Sequence, residues 1–597
     1  MRAPCPYTKA YFGCIHGCAF PSTTGSTRDG FQNTLALHHG QLQPDHESLA
    51  PFRLLVLADP QLEGDSSLPD PDDALWARLQ AHSLRLRGTA LQDVKPVMLE
   101  VLQQFVLEDI PRAFWAVRKS LDLFGNDYYL AHIYRTLHWW TKPTHVTVLG
   151  DLIGSQWVSD DEFAWRGWRY WNRVLAGSHR VDEAVMEQHK QEPGKQQVIP
   201  LESENDNWSE EIINVVGNHD IGYAGDISPS RIERFERVFG KVNWDIHFSY
   251  PEHRLPQNYS STGKSGPSLH MVILNSMILD TPALAESVQA ETYSYINSLI
   301  TSRLDPVEAR NTTFTLLLTH VPLHKPEGVC VDAPLFEFWD HDDSVGAFKH
   351  GGLKEQNHLS EHTSHAGVLQ GLFGMSGNPD AAAGGKGRNG LVLTGHDHEG
   401  CDVVHYIERY EENAASVTPS SSDADSQHTG DAQQHTDTDH NDDAQPTETW
   451  SWKSVRTSNY LQQKPDVLGS YKGKDTDIVA SVREITLRSM MGEYSGNAGL
   501  LSLWYDFEGY GSWKYEIQMC PLGVQHIWWA VHITDIVVMI SLVARILLWL
   551  IPSAKKPATT TSNATEKKIT PNQVALLTIP KREDKHFRSS SPRRRKG

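Results

Sequence analysis

Short apolar runs recur between residues 52 and 393, and each has the length and composition of a buried β-strand. Stretches with helical periodicity, such as 97–123 and 229–239, lie between them. Strands that alternate with helices in this way predict an α/β fold. The runs are FRLLVLA at 52–58, HVTVL at 145–149, IINVV at 212–216, MVIL at 271–274, FTLLL at 314–318 and LVL at 391–393.

Three stretches lack this pattern. Residues 1–50 show no sustained period and are predicted to be a disordered lead-in. The Gly- and Ala-rich stretch 376–390 and the polar stretch 411–448 have few apolar residues with which to build a core, so both are predicted to be disordered insertions. One ordered domain is therefore expected over 51–505, and 481–502 is expected to supply its closing strands.

Residues 527–551 are predominantly apolar, with tryptophans at both ends and lysines beyond the last of them. This length suits a bilayer, and the pattern predicts a transmembrane helix followed by a basic, cytosolic tail at 552–597. Asp535 and Arg545 leave a second interpretation open, in which the segment is a buried or interfacial helix.

A cytosolic tail would place the domain at 51–505 in the lumen, where the sequons at Asn207, Asn258 and Asn311 could carry glycans. The segment 1–50 has no convincing apolar signal region, which conflicts with that orientation. Either the true start of the protein lies elsewhere or the domain faces the cytosol. The formal net charge of -20 argues against a nucleic acid as the main partner.

The six cysteines are too few for a disulfide-dense scaffold. Cys330 and Cys401 each follow a polar cluster in the chain. A disulfide between them would join two loops of a common site, and two buried free thiols would fit the sequence equally well.

Polar clusters containing Asp, Asn or His follow most of the apolar runs directly. Because α/β sheets bind ligands at the carboxyl ends of their strands, these clusters are expected to converge. Any one of them alone could be a turn that caps a helix. Together they supply the carboxylate, amide and imidazole ligands that a pair of divalent cations needs. The clusters are DPQ at 59–61, GD at 150–151, GNHD at 217–220, the lone His320, and GHDH at 395–398.

The ordered pattern D-x-(H or Q), G-D, G-N-H-D, H and G-H-x-H resembles that of the calcineurin-like metallophosphoesterases. The stretches LADPQLEGD, THVPLHKPEGVCVDAP, GHDHEGCDVVHY and RSMMGEYSGNAGLLS are similar to the fungal branch of GPI-anchor ethanolamine-phosphate phosphoesterases. The resemblance implies a sandwich of mixed β-sheets flanked by helices. It also implies hydrolysis of ethanolamine phosphate from a mannose of the GPI glycan, by a luminal domain at the endoplasmic reticulum or Golgi membrane. The substrate would be a GPI-anchored protein or the GPI glycolipid.

The resemblance further implies two divalent metal ions, with manganese as the expected metal, bridged by Asp151. One ion would be held by Asp59, Gln61, Asp151 and His398, and the other by Asp151, Asn218, His320 and His396. His219 would be the catalytic acid, kept oriented and protonated by the neighbouring carboxylate of Asp220.

The sequence departs from the wider family at two positions. Gln61 stands where many relatives have histidine, and its neutral amide favours a hard metal such as manganese over zinc. Gly154 stands where a second aspartate is common, which puts in doubt a supporting carboxylate there. Two other interpretations stay open, namely a metallophosphoesterase with another phosphoester substrate and a metal-free membrane adaptor.

Overall fold

The computed structural model describes the chain in segments. They are 18–23, 29–39, 48–64, 68, 73–188, 198–202, 207–256, 266–303, 306–330, 334–343, 346–411, 448–463, 476–491, 496–508 and 511–550.

Sixteen strands form the framework of the described chain. They are β1 Phe52–Leu57, β2 His145–Leu149, β3 His179–Arg180, β4 Val198–Pro200, β5 Glu211–Val215, β6 Trp244–Ser249, β7 Ser268–Ile273, β8 Thr313–Leu318, β9 Phe336–Phe338, β10 Leu353–Gln356, β11 Asn389–Thr394, β12 Cys401–Glu411, β13 Glu448–Arg456, β14 Thr476–Thr486, β15 Asn497–Asp506 and β16 Ser512–Pro521.

Twelve α-helices connect or follow these strands in the described segments. They are α1 Gly30–His39, α2 Leu75–Arg87, α3 Val94–Gln104, α4 Ile110–Thr141, α5 Asp160–Arg169, α6 Glu183–Met186, α7 Asn218–Ile221, α8 Pro229–Phe239, α9 Glu286–Ser302, α10 Pro306–Thr312, α11 Thr457–Gln463 and α12 Gln525–Leu550.

The strands form two large mixed sheets and one small one. The first has six strands in the order β16-β15-β1-β2-β5-β3, in which β1, β2, β5 and β3 are parallel and β15 and β16 are antiparallel. The second has eight strands in the order β13-β12-β14-β11-β8-β7-β6-β4, with β7, β8, β11 and β14 parallel. The small sheet pairs β9 with β10. The predicted mixed α/β architecture is confirmed.

Alternation along the strands creates two cores. Within β1, Leu54 and Val56 belong to a cluster that also holds Leu316 of β8 and Leu393 of β11, so these side chains fill the space between the two large sheets. The intervening Leu55 belongs to a separate cluster with residues of the helices. Because successive side chains point to opposite faces, each large sheet is covered by the other sheet on one side and by helices on the other.

Two segments predicted to be disordered are folded in the structure. Part of 1–50 forms helix α1, and the carbonyl of Cys18 accepts a hydrogen bond from the indole of Trp140 at 2.8 Å. The stretch 376–390 forms turns, and Arg409 Nε donates to the carbonyl of Gly377 at 2.6 Å. Its glycines supply left-handed turns, with φ of 62° at Gly384 and 75° at Gly385, rather than flexibility.

The other predicted boundaries are only partly visible. The polar insertion predicted at 411–448 lies outside the described residues between 412 and 447. Sheet strands continue past the predicted domain end at 505, because β16 pairs with β15 along its whole length. The chain divides into two compact units, 1–534 and 535–597.

Helix α12 is the one described helix long and apolar enough to cross a membrane, with a mean hydropathy of 2.2. It begins two residues before the predicted span at 527. The predicted basic tail lies beyond the last described residue, Leu550.

Two disulfide bonds join distant parts of the described chain. Cys330 is bonded to Cys401, as one of the two interpretations of the sequence expected. Cys18 is bonded to Cys520, which ties the amino-terminal segment to the edge strand β16 across a separation of 502 residues. Neither cysteine of this second pair lies near a polar cluster, so the sequence pattern did not indicate it.

Replacement of both Cys18 and Cys520 by serine is expected to lower the free energy of unfolding by about 2–5 kcal/mol, because the cross-link restricts the unfolded chain. The measurement is thermal unfolding of the purified protein, with a lower midpoint expected for the double variant. Replacement of Cys5 and Cys14, which precede the described residues, is the control and should leave the midpoint unchanged. An equal midpoint in both double variants would contradict the prediction.

Candidate metal centre

The predicted site residues follow the carboxyl ends of five strands. Asp59 follows β1, Asp151 follows β2, Asn218 follows β5, His320 follows β8, and His396 follows β11. Because both large sheets present the carboxyl ends of these parallel strands at the same edge, the loops converge there. The structure thus brings together residues separated by up to 337 positions, as a contact between Asp59 and His396 illustrates.

Four of the seven predicted metal ligands have backbone conformations that are unusual for residues other than glycine. The φ angles are 51° at Asp59, 41° at Gln61, 50° at Asp151 and 71° at His396. A left-handed conformation is costly for a residue with a Cβ atom and persists only where surrounding contacts enforce it. Such strained positions cluster at functional sites, which supports a role for this edge of the sheets.

The first group of side chains surrounds Asp59. Ligand atoms of Asp59, Asp151 and His398 all lie within 4.8 Å of one another. The Gln61 amide lies 3.1 Å from Asp151 Oδ2 and 3.2 Å from His398 Nε2. Oxygen and nitrogen of an amide are assigned from their surroundings, so a turn of the Gln61 amide would present its oxygen to the same space.

The second group surrounds Asn218. Its Oδ1 lies 3.0 Å from His320 Nε2 and 2.9 Å from His396 Nδ1. His320 Nε2 also lies 3.3 Å from Asp151 Oδ1. Asp151 therefore faces both groups, with Oδ1 toward His320 and Oδ2 toward Gln61.

Backbone carbonyls determine which nitrogen of each histidine faces the centre. The carbonyl of Leu149 lies 2.7 Å from His320 Nδ1, and that of Gln356 lies 2.9 Å from His396 Nε2. A carbonyl can only accept, so these nitrogens donate. The neutral rings then present the lone pairs of His320 Nε2 and His396 Nδ1 to the centre, as metal ligands must.

The centre is rich in acceptors and poor in donors. His320 Nε2 and Asp151 Oδ1 are two acceptors 3.3 Å apart, and turning the Asn218 amide does not change that. Asp59 Oδ2 is buried without a hydrogen-bond partner among the described residues. Lone pairs that converge with few donors between them are unfavourable unless a cation lies among them, so the residues present fit divalent metal ions.

The ionisation of the carboxylates reflects the same crowding. Burial and the charge of Asp151 raise the pKa of Asp59 well above its ordinary value. Burial would also raise the pKa of Asp151, but the neighbouring His320, His219 and His396 hold it below its ordinary value. Burial lowers the pKa of His396 to about 3, which keeps this ring neutral.

His219 lies at the solvent side of the centre, with its side chain 39% exposed and its Nε2 3.8 Å from Asp151 Oδ2. The predicted pairing of His219 with Asp220 differs from the structure. Both oxygens of Asp220 accept backbone N–H groups, of Gly217 at 2.8 Å and of Ile153 at 3.0 Å. Because α7 turns the Asp220 side chain inward, this residue fixes the loops that carry Asp151 and Asn218.

Sequence reasoning missed several residues that support the centre. Ser489 donates to the backbone carbonyl of Asp59 at 2.8 Å from a distant loop. A Cβ atom on Gly217 would lie 2.3 Å from Asp151 Oδ1, so only glycine fits there. The glycine in GNHD was a visible signal, and Ser489 was marked only by its place in the stretch RSMMGEYSGNAGLLS, whereas the two carbonyls that bond the histidines had no signal.

A buried ion network lies behind the loop that carries His320. Glu484 Oε1 accepts from the backbone N–H of Leu323 at 2.9 Å and lies 3.5 Å from Lys325 Nζ. Its Oε2 lies 2.6 Å from His405 Nε2. The three charged or titratable side chains are almost fully buried, so this network fixes the path of the chain just after His320.

A second cluster with metal-ligand composition consists of Asp245, His247 and His270. Arg303 Nε lies 3.1 Å from His270 Nδ1, and an arginine can only donate. His270 Nδ1 must therefore accept, and Nε2 carries the hydrogen that bonds Asp245 Oδ2 at 2.7 Å. His270 therefore has no lone pair left for a metal and lies beside a guanidinium, so this cluster is better described as an ion network than as a metal site.

No protein-family model matches the chain. Protein TED1 of Saccharomyces cerevisiae is 29% identical over 450 residues, which cover 70% of this chain and 76% of the yeast protein. An uncharacterized protein of Schizosaccharomyces pombe is 28% identical over 302 residues, covering 48% of this chain and 58% of that protein.

Metallophosphoesterase 1 of Xenopus laevis is 22% identical over 335 residues, which cover 54% of this chain and 66% of the frog protein. This similarity is distant. Together with the cluster of potential ligands, it supports a metal-dependent phosphoesterase without indicating a substrate.

Proposed function

We propose that this protein is a two-metal phosphodiesterase that removes ethanolamine phosphate from a mannose of the GPI anchor glycan. The observation that carries the hydrolytic part is the convergence of acceptor atoms from five loops around Asp151. The proposed substrate is based on the resemblance of the sequence to the fungal GPI-anchor phosphoesterases.

The seven predicted ligands would divide between two cations. When bound, two divalent cations supply charge neutralisation at a phosphate and activation of a water molecule. This chain contributes the bridging carboxylate of Asp151, and it holds His320 and His396 in the tautomers that ligation requires. The full ligand set is Asp59, Gln61, Asp151, Asn218, His320, His396 and His398, and the expected metal is manganese.

His219 is the proposed acid. Its backbone N–H donates to Asp151 Oδ1 at 2.8 Å, which fixes the residue beside the centre, and its ring is open to solvent. In the overall reaction, water adds to phosphorus, the bond from phosphorus to the mannose oxygen breaks, and that oxygen takes a proton. His219 is placed to donate this proton, with Asp151 rather than Asp220 as the carboxylate within ion-pair range.

Several features support a luminal location at the endoplasmic reticulum or Golgi membrane. The two disulfides are typical of oxidising compartments. The described sequons at Asn207 and Asn311 are exposed. Helix α12 would provide the membrane anchor. Glycan attachment at Asn207, detected by a mass shift after glycosidase treatment, would support this orientation.

The direct test is incubation of the full-length, detergent-solubilised protein with manganese and a GPI glycan that carries ethanolamine phosphate on mannose. Release of ethanolamine phosphate is expected, and it is measured by mass spectrometry. His219→Ala is expected to lower the rate by about 10²–10⁴-fold with metal content retained, as loss of a general acid does.

The outcomes separate the remaining interpretations. Hydrolysis of a generic phosphodiester without release from the GPI glycan would assign the centre to another phosphoester. Purified protein with far less than two equivalents of metal and no hydrolysis would indicate the adaptor and overturn the proposal.

A further inference from the structure

Helix α2 packs against α3 and the start of α4, so that the three helices form a long hairpin. Helix α3 continues through a π-helical turn at Phe105–Asp109 into α4. The carboxyl-terminal half of α4, with Tyr129, Leu130 and Ile133, is buried in the core under the first sheet. The part of the hairpin that precedes residue 124 has few buried side chains.

One face of this hairpin is apolar and exposed in the described part of the chain. Seven apolar side chains recur at intervals of three or four residues, which places them on a single face of the helix. We refer to this face as the outer stripe, and its residues are 42% to 73% exposed. The outer stripe consists of Leu107, Ile110, Phe114, Val117, Leu121, Phe124 and Tyr128.

The contacts between the helices of the hairpin are polar instead. The buried carboxylate of Asp109 lies 3.0 Å from Arg78 Nε and 2.7 Å from His82 Nε2. Arg85 and Glu100 form a second, solvent-exposed pair, at 2.7 Å. The hairpin thus buries a carboxylate between its helices while a continuous row of apolar side chains stays exposed, which is unusual for a surface in contact with water.

The outer stripe leads to the start of helix α12. Trp528 packs against Tyr129, with ring centroids 6.0 Å apart, and a Cβ atom on Gly125 would overlap the ring of Trp529. Both tryptophans lie within the first five residues of α12, whose apolar span follows. Tryptophan at the end of an apolar span is typical of the interfacial layer of a bilayer.

We propose that the outer stripe lies in the interfacial layer of the bilayer that α12 enters, so that the protein contacts the membrane through the hairpin as well as through its anchor. Lipid is the occupant favoured by the continuity of the outer stripe with Trp528 and Trp529 at the start of the apolar span.

The hairpin also contacts the loop that carries Gln61. Lys119 Nζ on α4 lies 2.7 Å from Glu63 Oε2, two residues beyond Gln61. Lys119 lies on a different face of α4 from the outer stripe, because it is offset by two residues from both Val117 and Leu121. One helix therefore contacts the start of the candidate span and the loop of the candidate metal centre, with its apolar face left outward.

The test places a fluorescent probe on two neighbouring positions of the full-length protein. Cys5 and Cys14 are replaced by serine, and the other four cysteines are disulfide-bonded. Leu121→Cys places a nitrobenzoxadiazole label on the outer stripe. Asp122→Cys is the matched control, because Asp122 is also exposed but points about 100° away around the helix. The proteins are reconstituted in phosphatidylcholine nanodiscs with and without spin-labelled phosphatidylcholine.

The Leu121 label is expected to be quenched several-fold more by the spin-labelled lipid than the Asp122 label. Phe114→Cys places the label about two helical turns before Leu121 on the same outer stripe. It should behave like Leu121→Cys, and it provides a second probe if one variant folds poorly. Equal quenching at Leu121 and Asp122 would overturn the proposal. A shielded Leu121 label that is insensitive to the lipid quencher, with cross-linking between two chains, would assign the stripe to a second copy instead.

Discussion

Replacement of Asp151 by asparagine is expected to abolish turnover, with a loss on the order of 10³-fold or more, and to lower bound metal below two equivalents. Its two oxygens face the two ligand groups, with Oδ1 3.3 Å from His320 Nε2 and Oδ2 3.1 Å from the Gln61 amide. Asparagine has the same shape but lacks the charge and one of the two acceptor oxygens. The measurements are metal content by mass spectrometry and hydrolysis of a phosphodiester.

The matched control is Asp161→Asn, which removes an exposed carboxylate in the first turn of α5. It should leave metal content and rate unchanged. The folded state of Asp151→Asn is checked by retention of both disulfides and of a single cooperative thermal unfolding transition, because loss of metal alone would lower the midpoint. Full metal occupancy and normal turnover in Asp151→Asn would remove this residue from the centre.

Replacement of Glu484 by glutamine is expected to lower the free energy of unfolding by about 3–5 kcal/mol, because Lys325 would keep a buried charge without a counter-ion. The side chains of Lys325 and Glu484 are 1% and 0% exposed, so solvent does not screen the loss. The measurement is denaturant unfolding of the purified protein. Glu399→Gln, an exposed glutamate two residues from Cys401, is the control and should change the free energy by no more than about 0.5 kcal/mol.

This effect is expected to depend on pH. Burial alone would raise the pKa of Glu484, but Lys325 and the hydrogen bond from His405 lower it from 4.5 to about 2. A carboxyl group with a lowered pKa in the folded state contributes its full stability above pH 4.5 and loses it as the pH falls toward 2. The difference between the native protein and Glu484→Gln should therefore shrink below pH 4.5, and a difference that is constant between pH 7 and pH 3 would contradict this cause.

The double variant Lys325→Met with Glu484→Gln separates the two parts of the effect. Because it removes both charges of the pair, it should recover a large part of the stability lost in Glu484→Gln. A double variant that is less stable than either single variant would show that packing, not the unpaired charge, dominates.

Much of the framework could be predicted because buried strands impose a local pattern. The apolar runs at 145–149 and 314–318 coincide with β2 and nearly with β8, and each is followed by a residue of the candidate metal centre. A strand buried on both faces needs several apolar residues in succession, and its end is marked by the first polar residue. The sequence therefore placed Asp59, Asp151 and His320 at the ends of buried strands without knowledge of the contacts between them.

Two predictions from the local pattern were wrong because contacts between distant residues decide the structure there. The glycines in 376–390 indicated flexibility, whereas the hydrogen bond from Arg409 and the left-handed turns fold this stretch. Asp220 follows His219 in the chain, but the turn of α7 directs its carboxylate to the backbone of Gly217 and Ile153. Adjacency in sequence does not give side-chain direction within a helical turn.

The sequence by itself determined which residues could serve as ligands, the alternation of strands and helices, and the apolar helix at the carboxyl end. These properties are local, because each depends on a few consecutive side chains. Only the tertiary structure decided which nitrogens of His320 and His396 face the centre, the pairing of Cys18 with Cys520, and the outward direction of the outer stripe. Each of these depends on groups far apart in the chain, and packing alone brings such groups together.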